Sequence, residues 1–217
     1  MTSSVGSFVE IDFADPANPV IEKLDFDFAS CGYALCIVDT GGSHSDLTDE
    51  YAAVRKEMES VAEYLGKSVL REVDEDEFMK NIADIRSSCG DRAVLRAMHF
   101  YGDNARVEKQ AAALKAGDFE TFKKYIIESG RSSYMYNQNV YSCKKVSEQP
   151  VSLALSLSEK LLDGCGAWRV HGGGFAGTIQ AFVPLNKLDE YKDLMEKVFG
   201  SGSCYILSVR PVGGVEL

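Results

Sequence analysis

Lysine and arginine are too few and too scattered in this chain to make a basic stripe. They number 23 against 33 aspartates and glutamates, for a formal charge of −10. A phosphate backbone is bound by clustered cations, so nucleic acid is excluded as a partner. Any smaller phosphate ligand must be held by backbone N–H groups, by a metal ion, or by residues from elsewhere. The 6 cysteines (31, 36, 89, 143, 165 and 204) include no C-x-x-C pair, and none of the 3 histidines stands at ligand spacing from them, which argues against zinc. Most lie in apolar or strand-like stretches where a thiol packs well. No leader-type segment follows Met1, and no apolar run approaches membrane-spanning length. The expectation is a reduced, cytoplasmic protein with no membrane partner.

What is present reads as α+β. At 217 residues, with 45% hydrophobic and 26% charged residues, the chain can bury a substantial core. Phe8–Phe13 and Ile21–Phe28 alternate like strands around a turn at Asp15-Pro16, and Tyr33–Val38 is a continuous apolar run, as in a strand covered on both faces. From Leu47 the period changes: Tyr51, Val54, Met58, Val61 and Leu65 mark one helix face, with Ser45 or Asp46 as cap. Further helices are predicted from Asp74 to about Ser87, from Arg92 to Lys115, and from Phe119 after an Asp118 cap. Another runs from Pro150 through Leu162. The tail reads as strand Ala167–Val170, strand Thr178–Val183, a helix capped by Asn186, and strand Tyr205–Val209. A small antiparallel sheet covered by several helices accommodates this order.

The most distinctive segment is His171-Gly172-Gly173-Gly174-Phe175-Ala176-Gly177. It matches G-x-G-x-x-G, but a dinucleotide site needs a helix to open there, and a strand follows at once. The Rossmann reading fails on context. On residues alone, two uses of the glycines stay open: the steric needs of a hairpin, which is the commoner case, and close backbone approach to an anion.

Gly166-Ala167 with His171–Gly177 resembles the third signature of the GHMP kinases, G-[AS]-x-x-T-G-[AG]-G-[FW]-G-G, with His171 where Thr or Ser is usual and Ala176 where Gly is usual. Asp39–Tyr51, continuing through Arg55–Glu59, resembles the galactokinase stretch D-T-x-x-x-H-x-L-x-x-S-E-Y-x-x-R-R-x-E, without the basic residue many members carry before the His. Arg92–Ala97 and Leu114–Phe119, with Glu128-Ser129, resemble two further galactokinase stretches in the same order. The resemblance covers nearly the whole chain and implies the C-terminal half of a galactokinase, with a ferredoxin-like two-layer GHMP fold.

It implies that Tyr51 lies against the sugar, although Tyr51 also sits on the apolar stripe of its helix and serves equally as core. It implies that Gly172, Gly173, Gly174 and Gly177 form a turn beside the nucleotide phosphates. Residues 1–40 would end an N-terminal domain and 41–217 would form the C-terminal one. The family's sugar-gripping G-[ER]-H-T-D-Y stretch and its P-x-G-x-G-L-S-S-S-A phosphate loop are not in the sequence. The catalytic aspartate of G-x-M-D-Q is expected just upstream of Met1, so no catalytic residue and no metal ligand is assigned here. Asp12, Asp25, Asp27 and Asp39 have no orienting partner in the sequence pattern. The acidic run Glu72–Glu77 reads as a solvated helix start, and His44 and His99 suggest no metal.

The expectation is phosphoryl transfer from ATP, with magnesium, to the C1 hydroxyl of galactose in the parent enzyme. The isolated chain would be inactive, would bind neither cofactor tightly, and would self-associate through the face its N-terminal half would cover. The rival expectations are another GHMP sugar or small-molecule kinase, and a non-catalytic sensor on the same fold.

Overall fold

The apolar run at Tyr33 becomes one of the two inner strands of a four-stranded sheet. The structure, a computed structural model, describes residues 8–42, 47–175 and 177–208. Strand β3 (Tyr33–Asp39) lies between β5 (Thr178–Pro184) and β6 (Cys204–Leu207), and β4 (Ala167–His171) pairs on the far side of β5. All pairings are antiparallel, with Asp39 opposite Thr178, Val38 opposite Cys204, and His171 opposite Thr178. The order β4-β5-β3-β6 is that of a ferredoxin-like sheet, and the fold class is α+β.

Both faces of β3 are used. Ala34, Cys36 and Val38 join a core with Val170, Ile179 and Met195, under helices α6 (Pro150–Leu162) and α7 (Leu188–Phe199). Tyr33 and Leu35 turn the other way, toward Phe119, Phe122 and Phe182 beneath α5 (Phe119–Ser132). Continuous hydrophobicity in the sequence therefore reports two apolar faces. A third cluster, built on Val61, Phe78, Ile85 and Ala97, belongs to the helices inserted between β3 and β4. The cluster draws on α1 (Thr48–Tyr64), α2 (Glu75–Lys80), α3 (Ile82–Cys89) and α4 (Asp91–Lys115), with α5 and α6 following in the same insertion.

Several boundaries move, each for a local reason. The helix expected from Asp74 to Ser87 is broken at Asn81, whose side chain donates to the Glu77 carbonyl and closes α2. Asp74 caps α2 as its type predicts, accepting from the amides of Asp76 and Glu77. Asn186 does not cap α7: it lies inside a 3₁₀ turn, Leu185–Lys187, that leads into the helix. The second alternating run stays extended only over β2 (Val20–Leu24), because Asp27 instead caps a 3₁₀ turn that brings Phe28 against Phe119. Ser45 and Asp46, the proposed cap of α1, and Val209 lie outside the described residues.

Strand β1 (Phe8–Asp12) and β2 form a separate hairpin. Phe8 ties it to the molecule through edge contacts with Phe26 and Phe28. A division after residue 40 cuts the chain at the end of β3, whose partners β5 and β6 both lie beyond it.

Candidate functional site

Three segments meet at one end of the sheet: the end of β3, the turn from β4 to β5, and the first turns of α1. Thr40 joins the first two, its amide at 3.4 Å and its hydroxyl at 2.6 Å both donating to the Gly177 carbonyl. The Gly41 amide donates to Asp39 Oδ1 at 2.9 Å, so Asp39 closes a turn and is engaged there.

The glycine segment is the hairpin loop between β4 and β5. Gly172, Gly174 and Phe175 have φ of 63°, 84° and 56°. Asn139 sits against this loop. Its carbonyl accepts the Phe175 amide, its side chain donates to the Gly173 carbonyl at 3.3 Å, and a Cβ at Gly174 would fall 1.9 Å from its oxygen. A Cβ at Gly173 would stand 2.7 Å from the Tyr51 ring. Close approach within the protein thus accounts for glycine at 173 and 174. A Cβ at Gly172 would meet nothing within 4 Å, so that position faces open space. The amides of Phe175 and Gly177 are spent internally, the latter on the Gly174 carbonyl at 3.2 Å. Ala176 lies outside the described residues.

Tyr51 lies directly on this loop. Its hydroxyl donates to the Gly174 carbonyl at 2.9 Å and its ring meets Phe175 edge-on at 5.0 Å. Leu47 and Phe175 are buried beneath it. The two segments singled out in the sequence, 123 residues apart, are therefore in contact. Beside Phe175 opens a cleft of about 640 Å³, walled by Thr40–Gly42, Ser142 and Gln149. Ser142 donates to Glu50 at 2.8 Å, fixing that wall to α1 next to Tyr51. On the other flank of Tyr51 lies an apolar groove of about 360 Å³, lined by Val54, Met58, Val69 and Phe100.

Behind the loop stands a pair of arginines that sequence reading left without a role. Arg96 of α4 is fully buried. It donates from Nε to the Asn137 carbonyl at 3.0 Å and from Nη1 to Glu57 of α1 at 2.9 Å. Arg92 takes the same carboxylate from outside, at 3.0 Å from Nε to both oxygens. Burial pulls the Arg96 guanidinium below its ordinary value, with Glu57 opposing. A lone arginine among Ala93, Val94 and Ala97 was the visible signal, but its partners are set by tertiary structure.

The other polar candidates are engaged elsewhere. Asp12 accepts the Ala14 amide and pairs with Arg71 at 2.7 Å. Asp27 caps its turn. His99 is buried in α4 and shares a hydrogen bond with Ser132 at 2.9 Å, near Asp103. Burial lowers its pKa. His171, where the signature has Thr or Ser, pairs with Gln180 on the exposed side of the hairpin. His44 lies outside the described residues. Among the described residues no group of three acidic, His or Cys side chains forms a metal cage, and no helix is long and apolar enough to cross a membrane.

No protein-family model matches the chain. It is similar to the galactokinase of Homo sapiens, 31% identical over 184 residues, covering 85% of this chain and 44% of that protein. It is also similar to the galactokinase of Actinobacillus pleuropneumoniae serotype 5b, 26% identical over 164 residues, covering 76% of this chain and 41% of the relative. The crystal structure of Lactococcus lactis galactokinase complexed with galactose superposes with a TM-score of 0.70, covering 97% of this chain and 53% of that one. The chain is a partial, C-terminal-type homologue of the galactokinases. At 19% identity the structural likeness speaks for the fold alone. The chain spans less than half the length of either the Homo sapiens or the Actinobacillus pleuropneumoniae galactokinase. The fold brings the galactokinase-like stretches around Tyr51 and Gly174 into contact, and likewise those that carry Glu57 and Arg96.

Proposed function

We propose that this chain forms part of a galactokinase-type sugar kinase, corresponding to the C-terminal portion of that fold. It would supply one wall of the sugar site and the glycine turn beside the nucleotide phosphates. The contact between the Tyr51 hydroxyl and the Gly174 carbonyl carries this reading, because it sets the residue implied for the sugar against the segment implied for the phosphates. The β1–β2 hairpin is the part of the first forty residues assigned to the N-terminal side, and β3 goes with the sheet that follows.

In the complete enzyme ATP, with magnesium, supplies the phosphoryl group received by the C1 hydroxyl of galactose. Phosphoryl transfer depends on positioning and on stabilising charge around the group in motion. Tyr51, anchored through its hydroxyl, would offer a ring edge of fixed orientation to the sugar. The turn fits a phosphate neighbour at Gly172, where its surface is open, with Gly173 and Gly174 completing the backbone path. Gly177 would act by joining the turn to β3 through Thr40. The P-x-G-x-G-L-S-S-S-A stretch that the resemblance makes the holder of the ATP phosphates and magnesium is not in the sequence, so the chain is assigned neither that loop nor the magnesium ligands.

The sugar-gripping stretch and phosphate loop are not in this sequence, so the chain by itself is proposed to be inactive and to hold neither ATP nor magnesium tightly. The proposed setting is the cytoplasm. The test is to assay galactose 1-phosphate formation with ATP, first by this chain alone and then combined with a polypeptide carrying a galactokinase N-terminal half. Turnover only in combination is expected. Turnover by the chain alone overturns the proposed inactivity. Neither turnover nor galactose binding in the combination overturns the reading.

A further inference from the structure

Arg96 reaches the glycine turn through very little intervening chain. Its Nε holds the carbonyl of Asn137, the last residue of a π-helical turn, Ser133–Asn137. Gln138 follows with φ of 54°, a left-handed conformation that turns the chain sharply. Asn139 then presents its carbonyl to the Phe175 amide and its side chain to the Gly173 carbonyl. In the other direction Nη1 holds Glu57, on the helix that carries Tyr51.

We infer that Arg96 is a positioning residue that fixes Tyr51 and the glycine turn in one register. The functional meaning of this role rests on the sugar-kinase reading above. A buried charge is costly to desolvate, and a well-packed apolar side chain would fill the same space at lower cost. What the guanidinium adds is a rigid planar fork, which sets two acceptors at a fixed separation. One acceptor belongs to α1 and the other to the segment bracing the turn. Arg92 closes the outer side of Glu57 and does not share the bond to Asn137. The two arginines on one carboxylate are therefore separable by experiment.

The test is hydrogen exchange by mass spectrometry on the whole chain carrying Arg96→Lys, with Arg92→Lys as comparator. Lysine keeps the charge and cannot span both acceptors. Exchange is expected to rise at least tenfold in peptides covering 137–142 and 170–178, with β3 and α7 unchanged. Arg92→Lys should leave the turn unchanged. A uniform rise everywhere, or no change at the turn, overturns the inference. If Arg96→Lys does not fold, Glu57→Gln is read in the same peptides, with loosening at 47–58 and 170–178 expected and an unchanged turn overturning it.

Galactose binding by the chain combined with a galactokinase N-terminal half separates the two proposals. A loosened turn in Arg96→Lys, with no galactose binding even by the unchanged combination, leaves the role of Arg96 standing and removes the sugar reading. Galactose bound equally well by the unchanged and Arg96→Lys combinations removes Arg96 alone. A tenfold weaker Kd in the variant, at matched thermal stability, is expected.

Discussion

The Tyr51 hydroxyl donates to the Gly174 carbonyl at 2.9 Å, while Gly173 leaves room for the Tyr51 ring. This makes the start of α1 and the β4–β5 loop one unit. A tyrosine on the apolar stripe of a helix is here both core and site wall, its ring on Phe175 and its hydroxyl on a loop carbonyl.

Replacing Tyr51 by Phe keeps the ring contact and removes the hydrogen bond. The chain should lose about 1 kcal/mol of stability, the usual net value for such a bond. Urea unfolding should show a lower midpoint with an unchanged slope. In the combination with an N-terminal half, galactose should bind more weakly.

Two alanine substitutions distinguish the glycines. Gly172→Ala meets only the left-handed backbone penalty, of about 1–2 kcal/mol. Gly174→Ala adds a collision with the Asn139 carbonyl, since the new atom would fall 1.9 Å from it. Thermal melts should show a modest loss for the first and a far larger one for the second. Equal losses would mean that Asn139 does not brace the loop.

His99 should make stability depend on pH. Burial holds its folded pKa below the ordinary value, with Asp103 opposing. The unfolded chain therefore takes up a proton first as pH falls. The stabilising contribution is full above the unfolded value of about 6.5 and is lost as pH drops through the lower folded value. Urea midpoints measured from pH 7.5 to 5 should fall less steeply in His99→Gln than in the unchanged chain, whatever the substitution costs at neutral pH.

The β1–β2 hairpin should drive self-association. Phe13 and Val20 are 62% and 67% exposed, and Ile21 lies beside them. Large apolar patches are seldom left in water. Sedimentation should show mass rising with concentration, and Phe13→Glu with Val20→Lys should abolish the rise. A clean monomer at high concentration sinks this prediction.

Local chemistry was legible in the sequence, and partnership across the fold was not. Pro150 marked the start of α6 because its ring fits the first helical turn, and Asp118 marked that of α5 because its carboxylate accepts the Thr121 amide. Asn186 misled because the chain enters α7 through a 3₁₀ turn that contains it, and no side chain caps that entry. Asn139 gave no signal, since its importance comes from the backbone of a loop far along the chain. Arg96 was visible only as an exception on an apolar face. The glycines pointed to a ligand in the resemblance and to steric need in the residues, and at 173 and 174 the protein's own atoms occupy the space they leave.

The central place of β3 also governs when the sheet can assemble. Thr40 and its acceptor Gly177 are separated by 137 residues. A ribosome adding about 5–20 residues per second needs roughly 7–27 s to make that interval. Until then β3 has no strand on either side, and its uncovered edges are open to pairing with neighbouring chains. The helices inserted between β3 and β4 can pack on one another during that wait, so the order of synthesis favours the helical layer first and the sheet last.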